Sequence, residues 1–210
     1  MTQMKTILFQ GDSITDAMRY KEVDGYMGSG YATMTAGKIG LNYPGKYNIL
    51  NRGISGNRSC DLYGRVRADI INLKPDILTI LIGVNDTWHE LEVQNGVSVA
   101  RYEDLLNMLI EDVKKALPEI KIILLEPFVM LGSGTEQYYD AFAEDVVKRQ
   151  EVCRKVAEKY DLPYVLLQEK LEALAAKCSK EYVLYDGVHP TFAGHALISE
   201  ALYETLKPML

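Results

Sequence analysis

Short, almost uninterrupted apolar runs alternate with longer segments in which apolar residues recur every three or four positions. Lys5–Gln10, Tyr47–Arg52, Asp76–Ile82, Ile120–Glu126 and Pro163–Leu167 are runs of the first kind. Their apolar residues are near-continuous instead of alternating with polar ones, which predicts strands covered on both faces. Four segments are of the second kind: Leu62, Val66, Ile70 and Leu73; Leu105, Leu109, Val113 and Ala116; Phe142, Val146, Cys153, Val156 and Tyr160, with Arg149 carrying one turn; and Ala193, Leu197, Ala201 and Leu206. Each puts its apolar residues on one stripe of a helix. Strands alternating with helices give right-handed crossovers and a parallel sheet with helices on both sides. The expected fold is α/β, a three-layer α/β/α sandwich on about five parallel strands. No repeat, low-complexity tract or Pro/Ser-rich linker divides residues 1–210, so one domain is expected.

Composition narrows the function classes. With 48% hydrophobic and 25% charged residues, the chain is neither disordered nor fibrous. A domain of this size buries roughly 70% of its unfolded surface and needs no disulfide or metal staple. Lys and Arg number 23 against 29 Asp and Glu, for a net charge of -6 with no basic block, so no nucleic-acid partner is expected. The most apolar stretch, Ile77–Val84, is far shorter than the about 20 residues that cross a bilayer, and no membrane association is expected. Met1–Lys5 leads into a brief Ile7–Phe9, too short for a signal-peptide core. Cys60, Cys153 and Cys178 are scattered without metal-ligand spacing, which predicts reduced thiols, a cytoplasmic location and no metal.

In an open α/β sheet the ligand site lies beyond the carboxyl ends of the strands. Three long segments leave those ends: Ile14–Gly30, Asn85–Ala100 and Pro127–Gln137. They carry Tyr20, Tyr26, Trp88 and Phe128, and are expected to wall a pocket.

Four short blocks, at those ends or on the loop leading into the last helix, carry chemistry. Gly11-Asp12-Ser13 presents a serine hydroxyl and its N–H at the sheet edge. Gly53-Ile54-Ser55-Gly56-Asn57 allows a sharp turn that aims an N–H inward. Gly83-Val84-Asn85-Asp86 offers an amide donor suited to a developing oxyanion. Asp186-Gly187-Val188-His189-Pro190 pairs a carboxylate with an imidazole on a turn, and Pro190-Thr191 suits the opening of the last helix. Each block taken alone fits an ordinary cap or turn. Together they supply a nucleophile, oxyanion donors, a base and its orienter, the set that acyl transfer needs.

These blocks, in this order, resemble the SGNH or GDSL-type hydrolases and cover almost the whole chain; Ile14 stands where the family name has leucine. The resemblance implies a flavodoxin-like sandwich, Ser13 as nucleophile, His189 as base, Asp186 as its partner, and an oxyanion hole formed by Ser13, Gly56 and Asn85. It implies no cofactor. Gly28-Ser29-Gly30-Tyr31, Asn51-Arg52-Gly53-Ile54-Ser55-Gly56-Asn57, Asn85-Asp86-Thr87-Trp88 and His189-Pro190-Thr191-Phe192-Ala193-Gly194-His195 further resemble the small intracellular acetyl xylan esterases of that family. The implied partner is a small-molecule ester, an acetylated sugar such as a xylo-oligosaccharide. Asp12, Trp88 and Tyr26 are expected at the substrate, the aromatics because their faces suit sugar C–H groups.

Other residues are expected to be structural. Asp16 should hold the first long loop, Asp86 its own loop, and Glu126 the end of the fourth strand. Cys153 should pack in the core, and His89 and His195, with no carboxylate partner, should lie at the surface or at caps. Two rival readings stay open. A lipid-directed esterase, thioesterase or lysophospholipase would need an apolar trough, for which Met18, Met27, Met130 and Leu131 are candidates. A non-catalytic flavodoxin-like module would use Gly11–Thr15 as an anion nest. Fourteen tyrosines and three long loops permit a homo-oligomer without requiring one.

Overall fold

A computed structural model describes residues 4–210; Met1–Gln3, part of the segment weighed as a signal peptide, lie outside it. Five strands form one sheet: β1 (Lys5–Gly11), β2 (Tyr47–Asn51), β3 (Ile77–Leu81), β4 (Lys121–Leu125) and β5 (Tyr164–Val165). All pairings are parallel, in the order β2-β1-β3-β4-β5, the flavodoxin-like order. Among the described residues ten α-helical segments connect or flank them: α1 (Ser13–Asp16), α2 (Tyr31–Asn42), α3 (Ser59–Gly64), α4 (Val66–Asp69), α5 (Val84–Val93), α6 (Val99–Ala116), α7 (Tyr139–Lys159), α8 (Gln168–Ala175), α9 (Lys180–Val183) and α10 (Phe192–Leu206).

The apolar runs become strands because two cores must be filled. Ile7, Phe9, Leu81, Ile123 and Leu125 pack on one face with residues of α2, α8 and α10. Leu8, Leu78, Ile80, Ile122 and Leu124 pack on the other with residues of α3, α6 and the second half of α7. Every residue of β3 is buried. Each such Leu or Ile contributes roughly 1.5–3 kcal/mol over an exposed one, which is why the central strands read so clearly.

Four expectations need correction. The Leu62–Leu73 stripe is not one helix but α3, α4 and a short 3₁₀ turn over Ile71–Leu73. Arg65 interrupts it, because its guanidinium is drawn to the loops at the strand ends, where it donates to Asn57 Oδ1 (2.8 Å), Arg52 O (2.8 Å) and Gly11 O (3.2 Å). The segment from Asn85 is not a loop but α5, whose buried face carries Asn85, Asp86 and Thr87 and so shows no apolar stripe. The last run shrinks to a two-residue strand. In α10 the buried stripe is Gly194, His195, Ile198, Ser199, Leu202, Tyr203 and Leu206, one residue round from the Ala193–Leu197–Ala201 line.

Strand order reverses between β1 and β3, and a crevice opens beyond their carboxyl ends. The chain leaves β1 into Ser13, β2 into Gly56 and β3 into Asn85, so the fold itself gathers three of the four blocks.

Candidate active site

Asp12 caps α1: its Oδ1 accepts from Ile14 N–H at 3.0 Å and fixes Ser13 as the first residue of a single helical turn. Gly53 allows the next loop to lie against this turn, since a Cβ there would collide with the backbone of Asp16 and Thr15. Asp16 Oδ2 then accepts from Ser55 N–H (3.1 Å) and Oδ1 from Arg19 N–H (3.2 Å), tying both ends of that loop pair. The chain leaves α1 through Ala17 and Met18, two consecutive left-handed non-glycine residues (φ 42° and 62°). That conformation is costly for side-chain-bearing residues and is found where a site demands it.

The histidine arrives from the far end of the chain. A bridge between Leu184 and Pro190 closes the turn before α10, and Thr191 caps that helix. Asp186 Oδ1 accepts from the N–H groups of Val188 (2.9 Å) and His189 (2.7 Å). The β4 loop clamps the turn from outside, with Gly134 N–H on Asp186 O and Met130 N–H on Gly187 O. Asp186 Oδ2 lies 2.7 Å from His189 Nδ1, and His189 Nε2 lies 2.9 Å from Ser13 Oγ. The ring is stacked on Tyr185 (centroids 5.6 Å apart) and flanked by Trp88 (5.8 Å).

Charge sets the tautomer. Burial pushes the Asp186 carboxyl up, but the hydrogen bonds from His189 and Val188 outweigh it and hold the group below the usual carboxylate range. An ionised carboxylate only accepts, so Nδ1 carries the proton and Nε2 is free to accept from the Ser13 hydroxyl. Burial lowers the His189 imidazole, while the Asp186 hydrogen bond and charge raise it further, for a net upward shift from 6.5. The arrangement can take a proton from Ser13 and stabilise the resulting imidazolium.

Three candidate donors follow the carboxyl ends of β1, β2 and β3. The N–H groups of Ser13 and Gly56 find no acceptor among the described residues, and Gly56 takes a positive φ of 80° that suits glycine alone. Asn85 Nδ2 gives one hydrogen to Asn57 O (3.0 Å), which fixes the amide and leaves the other free. Asp86 holds Ser59 through its backbone N–H (2.9 Å) and hydroxyl. Glu126 Oε2 accepts from Leu167 and Gln168 N–H (2.7 and 2.8 Å) and so seats α8. Cys153 is buried in the core.

A cavity of about 550 Å³ opens beside Ser13 and His189. Ile14, Met18, Tyr185, Phe192 and His195 line it. None of the three expected substrate contacts, Asp12, Tyr26 and Trp88, is in this lining. Asp12 is 1% exposed beneath the turn, because its carboxyl is used as a cap. Tyr26 is outside this lining, edge-on to Tyr20 in an adjoining depression that shares Ala17, Met18 and Ser29 with the cavity. Trp88 backs the His189 ring and does not line the cavity. His195 is buried, not at the surface. Its neighbours in the stripe of α10 carried the signal that was missed, and the position of Tyr185 beside Asp186 was another. Of the four residues proposed for an apolar trough, only Met18 reaches this cavity; Met130 is in the core.

Among the described residues no three His, Cys, Asp or Glu side chains are placed to hold a metal ion, and no helix is long and apolar enough to cross a membrane.

Comparison with known proteins places this geometry. Residues 9–197 match the model of the GDSL-like Lipase/Acylhydrolase family. An acetylxylan esterase of Geobacillus stearothermophilus is 32% identical over 205 residues, covering 93% of this chain and 90% of that protein. The crystal structure of a GDSL-like lipase from Parabacteroides merdae superposes with a TM-score of 0.90 at 33% identity, covering 98% of both chains. Axe2, an acetylxylan esterase from Geobacillus stearothermophilus, gives a TM-score of 0.85 at 30% identity, covering 95% of this chain and 93% of its own. The chain belongs to the GDSL-like lipase/acylhydrolase family and is a carboxylic ester hydrolase.

Proposed function

We propose that the enzyme removes acetyl groups from acetylated xylo-oligosaccharides through an acyl-enzyme on Ser13. The observation that carries this reading is the continuous chain of contacts Asp186–His189–Ser13, at 2.7 and 2.9 Å, opening on one cavity. His189 takes the Ser13 proton as the oxygen attacks the acyl carbonyl. The carbonyl oxygen becomes an oxyanion held by the N–H groups of Ser13 and Gly56 and by the Asn85 amide. His189 then passes the proton to the departing sugar oxygen. Water, activated by the same imidazole, attacks the acetyl-serine and releases acetate.

The acetyl-sugar part of the proposal draws on the likeness to acetylxylan esterases over nearly the whole chain. Acetate release should be measured across acetylated xylo-oligosaccharides, other acetylated sugars and simple esters of increasing acyl length. Highest kcat/KM on the acetylated xylo-oligosaccharides is expected. Preference for octanoyl or longer esters would contradict the reading in favour of a lipid-directed esterase.

A further inference from the structure

His195 has no part in the relay, yet it is buried at the wall of the cavity that Ser13 and His189 share. Its ring stacks on the fully buried Tyr31 (centroids 6.4 Å apart, planes at 24°). Its Nδ1 accepts from Tyr31 N–H at 3.2 Å. Gly30 lets the start of α2 approach this closely, since a Cβ there would sit 3.0 Å from His195 Cε1. A ring nitrogen that accepts from a backbone N–H carries no proton, so in the neutral ring the proton is on Nε2. That Nε2–H has no acceptor among the described residues. Burial, with the nearby His189, pushes the His195 imidazole down to about 4. It stays neutral through the working range and cannot replace His189 as base, because the nitrogen left open already holds a proton.

The position of the cavity says which part of the substrate meets this donor. The departing alcohol receives its proton from His189 Nε2 and must leave on that side. His189, Pro190, Thr191 and His195 form one wall of the cavity and Ala17, Met18 and Ser55 belong to its remaining lining, while Gly56 and Asn85, the donors assigned to the carbonyl oxygen, are not in it. We propose that His195 is a specificity-determining residue, donating its Nε2–H to a hydroxyl or ring oxygen of the sugar that carries the acyl group. The role rests on the carbohydrate reading above, and it makes the cavity select a hydroxylated ring over an apolar one of the same size.

The test compares kcat/KM on an acetylated methyl xyloside with that on cyclohexyl acetate, a six-membered ring ester without the sugar oxygens. In His195→Asn the shorter amide retains an acceptor for Tyr31 N–H but presents no donor at the Nε2 position. In His195→Gln the longer amide restores a donor there. Leaving a site's hydrogen-bonding group unmatched is heavily penalised, so His195→Asn should lower the xyloside-to-cyclohexyl ratio about tenfold or more, and His195→Gln should recover most of it. A wild-type ratio in His195→Asn, or equal loss in both variants, overturns the assignment while leaving the carbohydrate reading intact. Wild-type enzyme that turns over cyclohexyl acetate and not the xyloside contradicts the carbohydrate reading and the role of His195 with it. Nitrogen-15 histidine spectra of the wild-type protein give a second answer without substitution. Methyl xyloside, at concentrations that inhibit the esterase reaction, should shift the His195 Nε2 resonance and leave that of His89 in place; a stationary His195 resonance overturns the proposal.

Discussion

Ser13 Oγ and His189 Nε2 lie 2.9 Å apart although 176 residues separate them in the chain. The sheet order explains the meeting. β1 lies inside the sheet between β2 and β3 and leads into Ser13, and the turn before α10 returns His189 to it. If the pair works as one unit, Ser13→Ala and His189→Ala should each lower kcat on p-nitrophenyl acetate by about 10⁴-fold or more, and the double variant should be little worse than either. Circular dichroism should show the fold retained in all three. Losses that multiply in the double variant would mean that the two residues act separately.

The pH profile follows from Asp186. His189 must be neutral to accept a proton, and its net shift is upward from 6.5 because the Asp186 hydrogen bond and charge overcome burial. kcat/KM should therefore rise with pH through a midpoint above 6.5. Asp186→Asn should move that midpoint down and lower the plateau by roughly 10⁴-fold. The same shift stabilises the fold below the ordinary histidine value and is lost as pH rises through the folded value, so activity and this share of stability run in opposite directions. A midpoint unmoved by Asp186→Asn would remove Asp186 from the relay.

Asn85 is held by Asn57 O with one hydrogen to spare. Removing an oxyanion donor of this kind takes away about 3 kcal/mol of transition-state stabilisation, so Asn85→Ala should reduce kcat by roughly 10²–10³-fold with a much smaller change in KM. A change confined to KM would assign Asn85 to ground-state binding instead.

Asp12 is buried, with Oδ2 unpartnered. Burial pushes its carboxyl up to about 7, against the pull of Ile14 N–H and His189. Between its ordinary value near 3.8 and this raised one, the folded chain binds more protons than the unfolded chain, so this group's contribution to stability falls as pH rises. Asp12→Asn abolishes that titration. Its stability relative to wild type, from urea unfolding at about pH 5 and about pH 8, should rise with pH by a few kcal/mol. A gap independent of pH would contradict this account of Asp12.

Arg149 is 2% exposed and joins three segments, donating to Thr87 Oγ1 (2.7 Å), Asp145 Oδ2 (2.8 Å) and Val97 O (2.6 Å). Removing one partner of a buried pair leaves the others unsatisfied, so Arg149→Ala should destabilise the fold by about 3 kcal/mol in urea unfolding. A loss under about 1 kcal/mol would show that water replaces these bonds.

Much of this was legible in the chain, for identifiable reasons. The central strands pack on both faces and so carry unbroken apolar runs, and α6 and α7 bury single stripes. Three of the four blocks sit at strand ends because glycine and short polar residues are needed there, and the fourth forms the turn before α10. What escaped was polar burial. α2 buries Thr35 against Ser199 and carries Gly37 and Gly40, so its stripe does not stand out. α5 buries Asn85, Asp86 and Thr87. Arg149 lies within an apolar stripe because its partners come from α5 and the loop after it, which no local pattern reveals. His195 was missed for the same reason: its Nδ1 accepts from a backbone N–H 164 positions away in the chain.

Acid quenching during steady turnover of an acetylated xylo-oligosaccharide, followed by mass spectrometry of the digested protein, addresses the acyl-enzyme itself. The expected result is one added acetyl group on the peptide that begins α1, located at Ser13, and its absence in Ser13→Ala. Full turnover with no acetylated intermediate under any quench, or with the acetyl group on another residue, would contradict the account.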